Sequence, residues 1–279
     1  MIQYHADRSL PNLRGELVRR LAHRRPFLSG VRASGNPGAV HLRSLSPIQV
    51  EVLTDIIAKF AEEQISEHIR NDFLDEEAFE YFSTRLAAHH ASSGVALKKE
   101  NFEHILEQSF KRTGHDAKRT DSMVHRGADL EVDARFFSLK TEAAKGLNPK
   151  SITISKLMEA RWIRDLNGPE DAPEQVQERI LSHLQEYERI FMLRSYGNEE
   201  RVRYDLREIP KDVLAAVANL EAKDFGKITK AGGTSAEVRL NGRKAFRLVL
   251  DGSVEKITIS GLDTELCPLH AWWELGRPG

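Results

Sequence analysis

The stretch Ala128-Asp129-Leu130-Glu131-Val132-Asp133-Ala134-Arg135-Phe136-Phe137-Ser138-Leu139-Lys140-Thr141-Glu142 decides how this chain is read. Its residue types alternate with a period of two, as expected of half-buried β-strands. With Asp133-Ala134 as the tip of a tight turn, Leu130 faces Phe137 and Ala128 faces Leu139. These apolar pairs then share one face of the sheet. The other face carries Asp129 beside Ser138, with Lys140 one step diagonal and Glu142 beyond it. A slip of one residue would send the charges into the core, so one register satisfies both faces.

Two readings of the polar face stand. It is an ion-paired surface, or it is a metal centre. Carboxylates hold a hard cation such as Mg²⁺ through oxygen. The cation polarises a phosphate oxygen and acidifies water, and a nearby lysine orients that water and balances developing charge.

Outward from the hairpin, the first half of the chain reads as helical. Leu10 to Arg24 has apolar residues at helical spacing. Gly30 to Gly38 is a loop. Ser46-Pro47 starts a helix, with Ser as cap and Pro in the first turn. Its apolar face runs through Val50, Leu53, Ile57, Phe60 and Ile65 to about His68. Glu76 to Leu86 and Leu97 to Phe110 are two further helices. After the hairpin, Ser151 to Ser155 is a short strand feeding a helix over Lys156 to Leu166. Pro173 to Tyr187 is helical. Arg189 to Tyr196 and Arg201 to Glu208 pair across Gly197-Asn198. Pro210 opens a helix ending near Ala222. Strands from Ala236 to Ile259 turn at Asn241-Gly242 and Asp251-Gly252. The pattern predicts an α/β fold, a mixed sheet flanked by helices. It comprises an N-terminal helical region at 1–80 and a main domain at 81–279, read together as one continuous globular unit.

The 279 residues suffice to bury a substantial core, and 40% hydrophobic with 30% charged residues is a globular composition. No apolar run reaches the length of a membrane span, and the N-terminus lacks the apolar segment of a signal peptide. The single cysteine, Cys267, excludes an internal disulfide framework and a multi-cysteine zinc site, which points to a reducing cytoplasm. Net charge is −1, so the molecule is not basic overall. Arginines nonetheless cluster at Arg19, Arg20, Arg24, Arg25 and Arg32, either as a solvated face or as a DNA-facing patch.

Asp129 followed by Ser138-Leu139-Lys140 resembles the motif of the PD-(D/E)xK nuclease superfamily. More specifically, the chain resembles the SmaI-like type II restriction endonucleases. The segments that carry the likeness are HHASSGVAL (89–97), NFEH (101–104), ADLEVDARFFSLKTEAAKG (128–146), ITISKLME (152–159), EYERIFMLR (186–194) and LREIPK (206–211). Weaker likeness follows at Leu250 to Gly252 and at Cys267, His270 and Trp273. It extends from about Phe82 onward.

The resemblance implies a restriction-endonuclease-like core and a homodimer that needs Mg²⁺ and hydrolyses both strands of a palindromic, GC-rich duplex. It further implies the site CCCGGG, blunt ends, 5′-phosphates and a companion DNA methyltransferase. One departure matters: where the motif carries an acid, this chain has Ser138. Glu142 is the first choice for the second metal carboxylate, because it shares the strand face. Glu159, placed at the start of a helix, is the alternative. Glu103 lies in the preceding helix, where related nucleases carry a further glutamate. The main-chain carbonyl of Leu139 is another candidate ligand.

For DNA contact, His89, His90 and Ser92 suit phosphates or dimer packing, against a plain helix-end role. Arg189 and Arg194 suit guanine edges, against ion pairing with Glu186 and Glu188. Cys267 and His270 read as buried and structural, and Trp272-Trp273 as closing the core. Two competing functions remain: a structure-specific or repair nuclease of the same fold, and a sequence-specific binder without catalysis.

Overall fold

The computed structural model describes residues 45–62, 64–120, 127–144, 146–198, 200–230 and 232–276. The central hairpin forms in the expected register: Leu130 pairs with Phe137, Glu131 with Phe136 and Val132 with Arg135. Asp133 and Ala134 have φ of 49° and 62°. Two successive positive φ values make a type I′ turn, whose twist matches that of the strands it joins. Ala134 bears a Cβ in the left-handed region, where it is disfavoured.

The chain divides into two compact units, Met1–Val50 and Glu51–Gly279. Of the first, only the end is described. There the Ser46 hydroxyl accepts from the Gln49 N–H and the Gln49 side chain accepts from the Ser46 N–H, a capping box. The helix expected at Leu10 to Arg24, the loop at Gly30 to Gly38 and the arginine cluster lie outside the described residues.

In chain order the elements are α1 (Pro47–Ala61), β1 (Ile65–His68), α2 (Glu76–Ser92), α3 (Lys99–Arg112), β2 (Ala117–Arg119), β3 (Leu130–Val132), β4 (Arg135–Glu142) and β5 (Ser151–Glu159). They continue with α4 (Ala172–Gln185), β6 (Arg189–Gly197), β7 (Arg201–Ile209), α5 (Lys211–Ala215), β8 (Thr234–Leu240), β9 (Arg243–Asp251), β10 (Lys256–Asp263) and β11 (Leu269–Gly276). A mixed seven-stranded sheet runs β1-β11-β7-β6-β4-β3-β2, and a four-stranded sheet runs β5-β10-β9-β8. Within the larger sheet β4 and β6 are parallel, joined by a crossover that contains α4. The β8–β9 hairpin turns at Asn241-Gly242, both at positive φ, as the sequence predicts.

Alternation along the central strands sends side chains into two cores. Phe137, Leu139, Phe191 and Leu193 pack under α2 and α3 with Phe82, Phe102 and Leu106. Ile190 and Met192 face the other way, toward Val176, Ile180 and Leu184 of α4 and the inner face of the second sheet. Each fully buried side chain of this size contributes about 2 kcal/mol. Asp75 caps α2 by accepting from the Ala78 N–H at 2.8 Å. Trp273 is buried against α2 and donates to the Ser83 hydroxyl at 2.7 Å. Among the described residues no helix is long and apolar enough to cross a membrane.

Four expectations change. Ile65 to His68 does not extend α1; it is an edge strand paired with the far C-terminal β11. Lys156 to Leu166 is not a helix: β5 continues to Glu159 and a 3₁₀ turn, Arg161–Asp165, follows. The helix opened by Pro210 is short and gives way to a 3₁₀ turn, Ala216–Asn219. Ala128 joins the α4-side core, opposite to Leu139, because the chain departs from the β4 ladder at Asp129.

Candidate active site

That departure is where the chemistry is assembled. The Asp129 N–H still donates to the Phe137 carbonyl at 2.8 Å. Beyond it the carboxylate replaces the ladder: Oδ2 accepts from the Leu139 N–H at 2.6 Å and from the Ser138 hydroxyl at 3.3 Å. Asp129 is thus fixed by the strand that carries Lys140. The serine at the motif's acidic position orients the aspartate.

Lys140 Nζ lies 3.9 Å from Asp129 Oδ2, and its side chain is only 15% exposed. Burial pushes the Lys140 pKa down; Asp129 opposes the drop and Lys99 reinforces it. Lys99, at the start of α3, donates to Asp129 Oδ1 at 2.6 Å. The same ammonium lies 3.1 Å from Oε1 of Glu103, one helical turn along. Burial works against its charge, but Asp129 and then Glu103 outweigh burial, and the Lys99 pKa is raised. Burial raises the Glu103 pKa; Lys99 pulls it back and the Asp129 charge adds to the rise.

Lys99, Asp129 and Lys140 open onto a cleft of about 970 Å³, while Glu103 reaches it only through its contact with Lys99. Asp129, Lys140 and Lys99 form one wall. Ser155 and Lys156 of β5, with Arg179 and Ser182 of α4, form another. β5 reaches the cleft through a bulge: Ile257 of β10 pairs with Met158, yet Ile259 pairs with Ile154. The extra residues leave Ser155 and Lys156 both exposed, a frequent way to re-aim side chains beside a site. Gly127, at φ 91°, closes the floor; an added Cβ would lie 2.5 Å from the His183 ring. His183 is held between Glu186 at 3.2 Å and the Leu157 carbonyl at 3.1 Å.

The other predicted residues are placed differently. Glu142 does not line the cleft. Its Oε2 accepts from Arg194 Nε at 2.7 Å and its Oε1 from the Thr153 N–H at 2.9 Å. Arg194 cannot read a base edge from this position, because it is fully buried. Its remaining donors go to the carbonyls of Asn148, Pro149 and Ser151 at 2.9, 3.1 and 2.7 Å. Arg189 also lies away from the cleft, paired with Glu208 at 2.6 Å and Asp72 at 2.7 Å rather than with Glu186 or Glu188. Glu159 is on the cleft rim at the end of a strand, 68% exposed and 2.8 Å from Lys156. His90 is buried at 2.8 Å from the Tyr204 hydroxyl. His89 contacts the Val95 carbonyl, and the Ser92 hydroxyl donates to the His89 carbonyl. None of these three lines the cleft. Cys267 is buried, and burial pushes its thiol up to about 12.

The sequence reading missed Lys99, Lys156, Arg179 and Ser182. For Lys99 a signal was present, since lysine at the head of a helix with glutamate four residues on is a paired spacing. Arg179 carries no local signal.

Among the described residues no group of three or more His, Cys, Asp or Glu side chains is arranged to hold a metal ion. Two carboxylates bridged by a cation are nevertheless present, with the Lys99 ammonium as that cation. Mg²⁺ is commonly held by one or two carboxylates, with water and substrate phosphate completing its shell. The donor set at Asp129 and Glu103 fits that requirement.

A carboxylate–lysine pair on the central sheet thus opens to a cleft. A family model described as SmaI, type II site-specific deoxyribonuclease, matches residues 39–275. The class is therefore that of a type II site-specific deoxyribonuclease, an enzyme acting on double-stranded DNA. The type II restriction enzyme SmaI of Serratia marcescens is 35% identical over 226 residues, covering 78% of this chain and 88% of that protein. The chain belongs to the SmaI family. No solved structure matches it.

Proposed function

We propose that this enzyme hydrolyses both strands of a palindromic CCCGGG site in a Mg²⁺-dependent reaction, leaving blunt ends with 5′-phosphates. The observation that carries the catalytic assignment is the fixing of Asp129 by the Leu139 N–H beside Lys140, on the wall of the cleft. Asp129 and Glu103 would hold the metal, with the Leu139 carbonyl as a further candidate ligand. When bound, Mg²⁺ polarises the scissile phosphate and makes water more acidic. Lys140 orients the attacking water and balances charge on the phosphoryl oxygens; its burial strengthens both effects. Lys156 and Arg179, on the facing wall, hold the DNA backbone.

The recognised sequence and cut position rest on the family relationship. A homodimer suits such a site, since two copies related by a twofold axis match the two strands of a palindrome. A companion methyltransferase and a cytoplasmic location complete the proposal. Sequencing the fragment ends of genomic DNA digested with purified protein and Mg²⁺ tests it. Blunt 5′-phosphorylated ends at one palindrome are expected. Random or junction-dependent ends indicate a repair or structure-specific nuclease, and binding without cutting indicates a non-catalytic protein.

A further inference from the structure

The Lys99 ammonium lies between the two carboxylates assigned to the metal, 2.6 Å from Asp129 and 3.1 Å from Glu103. We infer that Lys99 competes with the divalent metal: in the free enzyme its ammonium fills the cation position, and it must leave for the metal to enter. This inference rests on the reading of Asp129 and Glu103 as the metal carboxylates.

Three observations support it. The first is charge. Both carboxylates are only 16% exposed, and a neighbouring cation relieves their repulsion and desolvation. Lys140 lies farther off, at 3.9 Å from Asp129, so Lys99 is the closer counter-ion. The second is mobility. Lys99 opens α3, and its side chain is 37% exposed, so its four-carbon stem can swing out without moving the helix. The third is position. Lys99 lines the cleft, so a displaced ammonium stays beside the path of a DNA phosphate. Metal entry is then an exchange in which a divalent ion replaces a univalent one. A phosphate offers the ammonium another partner, so DNA and metal strengthen each other's binding.

Calorimetric titration of the full chain with Ca²⁺, without DNA, tests the inference. It compares wild type with Lys99→Met, Lys99→Gln and Asp129→Asn. Both Lys99 variants should bind Ca²⁺ roughly tenfold more tightly than wild type, as expected for removal of a partly buried ion-pair partner. Ca²⁺ should also raise their melting temperatures by more than it raises that of wild type. Asp129→Asn should lose binding. If Asp129→Asn loses binding while neither Lys99 variant gains affinity or a larger thermal shift, competition is refuted and the metal assignment survives. If Asp129→Asn binds Ca²⁺ as wild type does, the metal assignment fails, and the inference fails with it.

Discussion

Replacing Arg194 by methionine keeps most of the buried volume and removes the guanidinium. Four hydrogen bonds disappear: one to Glu142 and three to the carbonyls of Asn148, Pro149 and Ser151. Glu142, 11% exposed, keeps only the Thr153 N–H shown on its other oxygen. Removing one partner of a buried ion pair costs about 3–5 kcal/mol, because the other charge is left uncompensated. For a unit of about this size each kcal/mol lowers the melting temperature by roughly 2–4 °C. The expected drop is therefore on the order of 10 °C, with a matching fall in the urea midpoint. Adding Glu142→Leu should recover part of the loss, since a paired apolar replacement removes the stranded charge. Circular dichroism melts and urea titrations of wild type and the two variants provide the assay. Near wild-type stability of Arg194→Met together with altered site selectivity would refute this reasoning and return Arg194 to base recognition.

Four other substitutions follow from the same structure. Burial opposes ionisation of Glu208, but hydrogen bonds from His270 and Arg189 outweigh it and hold its pKa at about 2, below the ordinary 4.5. Its contribution, on the order of 3 kcal/mol, is present above pH 4.5 and lost as pH falls toward 2; Glu208→Gln should flatten acid unfolding in that window, and an unchanged profile counts against the pairing. Ala134→Gly should stabilise the enzyme by about 1 kcal/mol by relieving the left-handed Ala134, measured by urea titration, and a loss of stability would show the turn is unstrained. Glu103→Gln should lower single-turnover cleavage by about a hundredfold or more without unfolding the protein. Glu142→Gln should act mainly on stability, and the reverse pattern would restore Glu142 as the metal carboxylate.

The hairpin was legible in the sequence because its signal is local. Period-two alternation around Asp133-Ala134 fixes one register, and Leu130 does face Phe137. The nuclease family was legible through ordered segments such as LKTEAAK and EYERIF. What escaped was non-local or irregular. Lys156 to Leu166 reads as a helix, yet β5 continues around a bulge to Glu159. Ile65 continued the apolar face of α1 in sequence, while its true partner, Glu274, lies at the other end of the chain. Arg194 and Glu142 share a strand-face pattern with catalytic charges, and only the fold shows that they meet each other in the interior. Alternation places Ala128 on the Leu139 face only if the ladder is unbroken, and the Asp129 carboxylate interrupts it.

Asp129 carries the assignment of the cleft most directly. Single-turnover cleavage of a CCCGGG duplex in Mg²⁺ should fall at least about a thousandfold for Asp129→Asn, while gel-shift binding of the same duplex without divalent metal is retained. Wild-type cleavage by Asp129→Asn would contradict the assignment of this cleft as the nuclease centre.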